Sequence, residues 1–307
     1  MKASAPGKII LFGEHAVVYN HPALAVPVTQ VHADVEVVDS PRAGIFIHAP
    51  GIDLHAELDS LPPAHPIASV ILKLFQLFGT SQTPNLEINI TSTIPVASGL
   101  GSGAAVSAAL IRALAPHVGY PLTNEQVNEL VYEIEKLHHG TPSGIDNTVI
   151  TYARPVYFIK GKPIETFTVG KPFTIVIGDT GISAPTKESV GDVRRLWLRD
   201  QFFTENIFNE IAQIALIARR SIESGKPELL GELMDQNHAL LQSLTVSSPE
   251  LDHLVRSARK AGALGAKLSG GGRGGNMIAL AEQASAESVA AALMSAGARQ
   301  TIITEIS

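Results

Sequence analysis

A run of small residues between an apolar strand pattern and an alanine-rich helix pattern constrains this chain more than any other feature. It extends from Pro95 to Ala105 and reads Pro-Val-Ala-Ser-Gly-Leu-Gly-Ser-Gly-Ala-Ala. Glycines let backbone N–H groups approach an anion closely, and the helix that follows offers N–H groups at its N-terminus. This run contains neither the Gly-Lys-Ser/Thr ending of a Walker A loop nor the Gly-x-Gly-x-x-Gly of a dinucleotide-binding loop. The run predicts a phosphate cradle of another kind, or a tight turn whose glycines serve packing.

Composition indicates a globular protein of two domains. The 307 residues are too many for one ordinary core, and 45% of them are hydrophobic. A net charge of −6 argues against nucleic-acid binding, which requires clustered lysine and arginine. Cysteine is absent, so disulfides, zinc-thiolate sites and thiol catalysis are excluded, and a cytoplasmic location is expected. With neither a signal-peptide pattern nor an apolar segment of about 20 residues, no membrane association is expected.

Strand and helix patterns follow one another without strict alternation, which favours an α+β architecture. Glycine and proline punctuate residues 160–175, so we predict an N-terminal domain over 1–168 and a C-terminal domain over 169–307. The local predictions used below are a strand over 86–91, helices over 104–115 and 123–139, and a loop over 266–275.

Two carboxylates flank a glycine- and proline-rich break after the predicted helix 123–139. Glu135 lies near the C-terminus of that helix, where the helix dipole disfavours a negative charge, so a bound cation would explain it. Asp146 follows the break, and we expect a loop rather than a helix to fix its position. One carboxylate would then bind Mg²⁺ and the other an acceptor hydroxyl, as phosphoryl transfer requires. The alternative is a surface glutamate and a helix-capping aspartate.

Polar residues also interrupt apolar patterns near both ends of the chain. Lys8 adjoins an apolar strand pattern, and burying its ammonium group requires an anionic partner such as phosphate or Asp146. Glu14 and His15 follow a glycine turn and would offer hydrogen bonds to a polar substrate. The alternatives are a lysine whose stem lies along the surface and a surface Glu-His pair. A glycine-rich segment over 267–276 precedes another apolar strand, which favours a backbone that closes over a ligand.

In their order along the chain, these segments resemble the three signature motifs of the GHMP kinases, a superfamily that includes galactokinase, homoserine kinase, mevalonate kinase and phosphomevalonate kinase. Within it, the segments 13–19 and 139–147 resemble those of mevalonate kinases. The implied fold is a two-domain α+β GHMP kinase fold. Its N-terminal domain is of the type named after the second domain of a small-subunit ribosomal protein, and its C-terminal domain is ferredoxin-like. The motifs are Pro6-Gly7-Lys8 with Gly13-Glu14-His15, Pro95 with Gly99-Leu100-Gly101-Ser102, and Lys267-Leu268-Ser269-Gly270-Gly271-Gly272.

The resemblance implies an enzyme that uses ATP and Mg²⁺ to phosphorylate the 5-hydroxyl of mevalonate, giving 5-phosphomevalonate in isoprenoid biosynthesis. Asp146 is implied as the base or hydroxyl-orienting residue, and Lys8 as the residue that stabilises the developing alkoxide. The implied metal ligands are Glu135 and Ser102. The implied substrate-binding residues are Glu14, His15, Ser143 and Thr180. The implied ATP- and phosphate-binding residues are Pro95, Ser98, Gly99, Leu100, Gly101, Ser102, Gly103 and Ala104.

Two positions depart from the family pattern. Gly103 occupies the place of a second serine that is a common Mg²⁺ ligand, and Arg273 occupies the place of a small residue. Arg273 would either reach phosphate or point to solvent. The alternatives to mevalonate 5-phosphorylation are a GHMP kinase for another alcohol, such as phosphomevalonate, a sugar or the 3-hydroxyl of mevalonate, and a catalytically silent metabolite sensor. The resemblance also suggests a homodimer.

Overall fold

The fold is taken from a computed structural model that describes residues 1–79, 83–95, 98–139, 142–183 and 185–307. Helices and strands mix without strict alternation, which confirms the predicted α+β class. The strands are β1 (Lys2–Phe12), β2 (Ala23–Asp39), β3 (Ile45–Ala49), β4 (Leu54–Glu57), β5 (Leu86–Ser92), β6 (Val156–Phe158), β7 (Glu165–Thr166), β8 (Phe173–Asp179), β9 (Gly265–Ser269), β10 (Asn276–Ala281) and β11 (Gln300–Ile306). The helices are α1 (Pro66–Phe78), α2 (Ser102–His117), α3 (Asn124–His139), α4 (Ile145–Tyr152), α5 (Thr186–Arg199), α6 (Gln201–Glu223), α7 (Leu230–Ser243), α8 (Pro249–Lys260) and α9 (Ala286–Ser295).

The chain forms two compact units. The first unit comprises the described residues of 1–7, 31–96 and 100–153, and the second those of 8–30, 97–99 and 154–307. In the described residues, no helix is both long enough and apolar enough to cross a membrane.

In the first unit, β5 pairs in parallel with β3 and antiparallel with the C-terminal part of β2, while β4 pairs antiparallel with β3. Val37 lies opposite Ile88 in the β2–β5 register, and both side chains are buried, as the predicted alternation of strand 86–91 requires. Helix α2 packs against α1, α3 and α4. The sheet and these helices therefore bury α2, which carries the glycine-rich run at its start.

The start of α3 follows from a local sequence signal. The Thr123 N–H donates to the Gln126 side chain at 2.9 Å, and the Gln126 N–H donates to the Thr123 hydroxyl at 3.3 Å. This reciprocal pair is the capping box that the sequence predicts. The capping box fixes the residue at which α3 begins, and the helical repeat then determines the face of α3 on which Glu135 lies.

In the second unit, four antiparallel strands form a sheet in the order β11-β8-β10-β9. With the intervening helices, the chain order is β-α-β-β-α-β, as in the predicted ferredoxin-like domain. Helix α8 packs against α9, β9 and β10, and α6 packs against α5 and α7. The core contains Phe208, Leu251, Leu268 and Met277, all fully buried.

Two local predictions were wrong. Residues 265–269, most of them predicted as loop, form the buried strand β9, because β10 supplies antiparallel hydrogen-bonding partners that the local sequence does not reveal. Asp146 was expected on a loop but lies in the first turn of helix α4, which was not predicted. Helix α4 has only eight residues, and its start is a glycine with φ of 96° rather than a side-chain cap.

Candidate active site

A buried ion pair joins the first motif to the third within the second unit. The Lys267 ammonium donates to Glu14 Oε1 and, at 2.6 Å, to the carbonyl of Leu268. Lys267 is 0% and Glu14 1% exposed, so both charges are removed from water. Burial raises the pKa of the Glu14 carboxyl and lowers the pKa of the Lys267 ammonium, and each charge opposes the shift of the other. Glu14 is therefore not the surface residue of the alternative interpretation.

His15 lies next to this pair in an uncommon backbone conformation. Its φ is 62° and its ψ −48°, which a residue with a side chain rarely adopts. Its Nε2 lies 3.0 Å from the carbonyl oxygen of Gly271 in the third motif. A carbonyl only accepts, so Nε2 carries the hydrogen, and Nδ1 of the neutral ring is an acceptor. Burial lowers the pKa of His15 to about 4, so the ring is neutral at pH 7.

Two buried acceptor atoms in this turn have no hydrogen-bond partner among the described residues. They are Oε2 of Glu14 and Nδ1 of His15. A buried polar atom without a partner costs about 1–3 kcal/mol, so native proteins seldom retain one unless something else supplies the partner. Because both atoms accept hydrogen bonds, the chemistry that suits them is an O–H or N–H donor of a bound molecule.

Lys8 and Thr180 also belong to the second unit. Lys8 is 4% exposed, so its ammonium group is buried as the sequence predicts rather than extended along the surface. The Thr180 hydroxyl donates to the carbonyl of Gly275 at 3.0 Å and accepts from the N–H of Ile182 at 3.2 Å. These hydrogen bonds connect Thr180 to the glycine-rich segment over 267–276, so its hydroxyl stabilises a turn in this structure.

The glycine-rich run begins helix α2 as predicted, and its described residues divide between the units. In the first unit, Gly101 precedes the helix with φ of 77°, and no side chain caps its N-terminus. An uncapped N-terminus leaves backbone N–H groups for an anion. Leu100 and Ala104 are buried beside it, and Pro95 is half-buried. In the second unit, the carbonyl of Ser98 accepts from the Asn276 amide, and Gly99 has φ of 80°.

Glu135 lies beside the start of α2 within the first unit. It is 8% exposed, so it is not a surface glutamate. A Cβ atom at Gly103 would lie 3.5 Å from Glu135 Oε1, which brings the carboxylate to the first turn of the helix next to Ser102. No cluster of three histidine, aspartate or glutamate side chains suited to a metal exists in the part of the chain that the structure describes. Mg²⁺ fits this donor set, because it is commonly held by one or two carboxylates together with substrate phosphates.

Asp146 also lies in the first unit, on helix α4. It occupies the first turn of α4, where the helix dipole favours a negative charge. The Ser143 hydroxyl accepts from the N–H of Ile145 at 3.3 Å, and the Thr148 hydroxyl donates to the carbonyl of Gly144 at 2.7 Å. Side chains on both sides of Asp146 therefore hold the backbone that carries it.

The structure assigns the predicted residues to two groups. The first unit contains Pro95, Leu100, Gly101, Ser102, Gly103, Ala104, Glu135, Ser143 and Asp146, and the second contains Lys8, Glu14, His15, Ser98, Gly99 and Thr180. Sequence reasoning missed Lys267 as the partner of Glu14. The available signal was a lysine within an apolar run of the third motif, the same signal that singled out Lys8.

The third motif also resolves the alternatives for Arg273. Its guanidinium pairs with Asp192 and lies 3.4 Å from the carbonyl of Thr245 through Nε. Arg273 has φ of 62°, so the chain turns there as it would at a glycine. In this structure the side chain therefore stabilises its own unit and does not simply extend into solvent.

Comparisons with known proteins identify the family of this chain. Residues 66–154 match the family model of the GHMP kinases N terminal domain, and residues 218–299 match that of the GHMP kinases C terminal. A mevalonate kinase of Thermococcus gammatolerans is 38% identical over 99% of this chain and 96% of its own length. The chain belongs to the mevalonate kinase family of the GHMP kinases. A mevalonate kinase of Pyrococcus furiosus is similar at 37% identity over 99% of this chain and 96% of its own length.

A solved member of the mevalonate kinase family shows the same fold. The crystal structure of L. major mevalonate kinase in complex with R-mevalonate superimposes with a TM-score of 0.86 and 27% identity, covering 100% of this chain and 95% of the other. The predicted family and the predicted two-domain GHMP kinase fold are thus confirmed.

Proposed function

We propose that the protein transfers the γ-phosphate of ATP to the 5-hydroxyl of mevalonate, giving 5-phosphomevalonate in the mevalonate pathway of isoprenoid biosynthesis. The observation that carries this proposal is the similarity to mevalonate kinases along essentially the whole chain. A fold alone does not determine an acceptor, so the residues of the site must agree with the substrate.

The buried acceptor atoms of the second unit support an alcohol as substrate. Glu14 Oε2 and His15 Nδ1 both require a donor. Mevalonate offers hydroxyl groups as donors, its 3-hydroxyl among them, which keeps its hydrogen when the 5-hydroxyl reacts. A site whose buried acceptors remain unpaired without those hydroxyls rejects analogues that lack them. We therefore assign Glu14 and His15 to mevalonate binding, and we propose Ser143 and Thr180 as further mevalonate-binding residues.

The glycine-rich run and Glu135 account for the nucleotide side. The N-terminus of α2 and the run 98–104 bind the β- and γ-phosphates through backbone N–H groups. Glu135 holds Mg²⁺, with Ser102 as its second protein ligand. Bound Mg²⁺ neutralises charge on the phosphate oxygens, which favours attack by a hydroxyl.

Asp146 and Lys8 carry the transfer itself. Asp146 accepts the proton of the 5-hydroxyl as the new O–P bond forms and the bond to ADP breaks. Lys8 stabilises the negative charge that develops on the attacking oxygen. Most of the rate enhancement then comes from positioning and charge stabilisation, as in phosphoryl transfer generally.

The proposal extends to three properties of the whole protein. We propose that the protein acts in the cytoplasm, that it is a homodimer, and that it divides into domains over 1–168 and 169–307. The absence of cysteine from the sequence supports the first of these.

Phosphorus NMR of the purified protein with ATP, Mg²⁺ and mevalonate tests the function. Phosphomevalonate and galactose serve as parallel acceptors. We expect a new phosphomonoester signal with mevalonate alone, coupled to a CH₂ group. Turnover only with another acceptor would retain the kinase and exclude mevalonate. ATP binding without product from any acceptor would support the sensor alternative and direct attention to Gly103.

A further inference from the structure

The polar side chains of the third motif are directed at other parts of the protein. We define the third-motif segment as residues 267–276. Its Lys267 pairs with Glu14, and its Ser269 hydroxyl donates to the carbonyl of Ile10 at 2.8 Å. Both contacts cross more than 250 residues of sequence and end in the first motif. The segment is therefore attached to the strand and turn that carry Lys8, Glu14 and His15.

The backbone of the same segment holds His15. The carbonyl of Gly271 accepts from Nε2 of His15, which determines the tautomer of the ring and leaves Nδ1 as an acceptor. A Cβ at Gly271 would lie 3.1 Å from the Thr186 hydroxyl and 3.2 Å from the Ser189 hydroxyl. Because these neighbours pack closely, the carbonyl that orients His15 has little freedom to move.

The Lys267 ammonium is directed at groups of the protein itself in this arrangement. It is fully buried, it donates to Glu14 and to the Leu268 carbonyl, and it lies 5.9 Å from the centre of the Phe12 ring. One oxygen of Glu14 is consequently occupied by Lys267, while the other is buried without a partner among the described residues. The lysine thus determines which oxygen of Glu14 is available to a bound molecule.

We propose that Lys267 is a positioning residue for the acceptor alcohol, which acts through Glu14 and not on the phosphates. This inference rests on the proposed function, since it concerns the same acceptor site. Lys267 orients the Glu14 carboxylate so that Oε2 accepts from a substrate hydroxyl, and the Gly271 carbonyl orients His15 in the same way. The third motif is then the support of the acceptor site.

Steady-state kinetics of three variants test this assignment. The variants are Lys267→Met, Glu14→Gln and the double variant, with Lys260→Met at an exposed position of α8 as the matched control. We expect each single variant to raise KM for mevalonate at least about tenfold, in line with the loss of a hydrogen bond to a charged group, and to leave KM for ATP within about twofold. Because Lys267 acts through Glu14, the double variant is expected to match Glu14→Gln.

The comparison of Glu14→Gln with the double variant is decisive, since Lys267→Met leaves a buried carboxylate without its partner and is the variant at risk of not folding. A further rise of about tenfold in either KM on adding Lys267→Met to Glu14→Gln would overturn the proposal, because the lysine would then act independently of Glu14. Loss of thermal stability in Lys267→Met with an unchanged KM for mevalonate would also overturn it.

The wild-type protein separates this inference from the proposed function. If it phosphorylates a different alcohol, the proposed substrate is wrong, and the kinetics of the same three variants are measured with that alcohol. The equality of Glu14→Gln and the double variant is then still expected. If it phosphorylates no alcohol, the variants are compared by the dissociation constant of mevalonate measured by calorimetry, with the same pattern expected.

Discussion

Two buried glutamates of the predicted site have very different surroundings. Glu14, in the second unit, is paired with a lysine from the far end of the chain. Glu135, in the first unit, lies beside the uncapped start of α2, next to a glycine. A buried carboxylate needs compensation. Glu14 has a full positive charge beside it, and Glu135 lies near a helix N-terminus. Glu14 therefore belongs to a rigid support, whereas Glu135 is the carboxylate that we propose to bind Mg²⁺.

The largest expected effect concerns the chemistry of the first unit. Asp146→Asn removes the proton acceptor and retains the volume of the side chain, so we expect kcat to fall at least about 10²-fold. KM for mevalonate and for ATP should change little. Rapid-quench or steady-state assays measure this, with Asp53→Asn, an exposed loop position, as control. Near-normal turnover would exclude Asp146 as the base and would leave Glu135 as the one carboxylate of the first unit for which we propose a role.

The second prediction concerns the second unit and pH. His15 has a pKa of about 4 in the folded protein and near 6.5 when unfolded, so the unfolded state binds more protons between these values. Above pH 6.5 the neutral ring of His15 contributes roughly 3 kcal/mol to the free energy of unfolding. This contribution is lost as the pH falls towards 4.

Urea unfolding at pH 7 and pH 4.5 checks this dependence. We expect His15→Gln to lose less stability than the wild type over that interval. His253→Gln, at an exposed position of α8, should behave like the wild type. Equal losses in His15→Gln and in the wild type would show that His15 is not held neutral by burial.

The third prediction tests the cation beside Glu135. Glu135→Gln removes the charge and retains the shape of the side chain, so we expect the Mg²⁺ concentration for half-maximal rate to rise about tenfold. Glu133→Gln, at a half-exposed position of the same helix, is the matched control. If the Mg²⁺ dependence of Glu135→Gln equals that of the wild type, then the metal is bound elsewhere and the comparison with Glu14 fails.

The smallest expected effect is that of Gly103→Ser. The added Cβ would lie at an ordinary van der Waals distance from Glu135, so we expect the free energy of unfolding to change by less than about 1 kcal/mol. The new hydroxyl lies next to the carboxylate, and the Mg²⁺ requirement should fall by a few-fold. Magnesium titration and thermal unfolding measure both quantities, and a large loss of stability would contradict the geometry at this position.

Local patterns predicted much of the fold. The capping box at Thr123 and Gln126 determined where α3 begins, because its hydrogen bonds join residues three positions apart. The alternation over 86–91 predicted β5, since one face of that strand is buried. The short helix α4 escaped prediction because a glycine, and not a capping side chain, precedes it.

The sequence by itself determined the family, the order of the motifs and the candidate residues. It did so because glycine-rich turns, isolated charges in apolar runs and periodic patterns are properties of neighbouring residues. Only the tertiary structure decided that Lys267 pairs with Glu14, that Gly271 orients His15 and that Arg273 pairs with Asp192. These contacts join residues 81 to 256 positions apart, and no local pattern encodes which buried charge will meet which partner once the strands have paired.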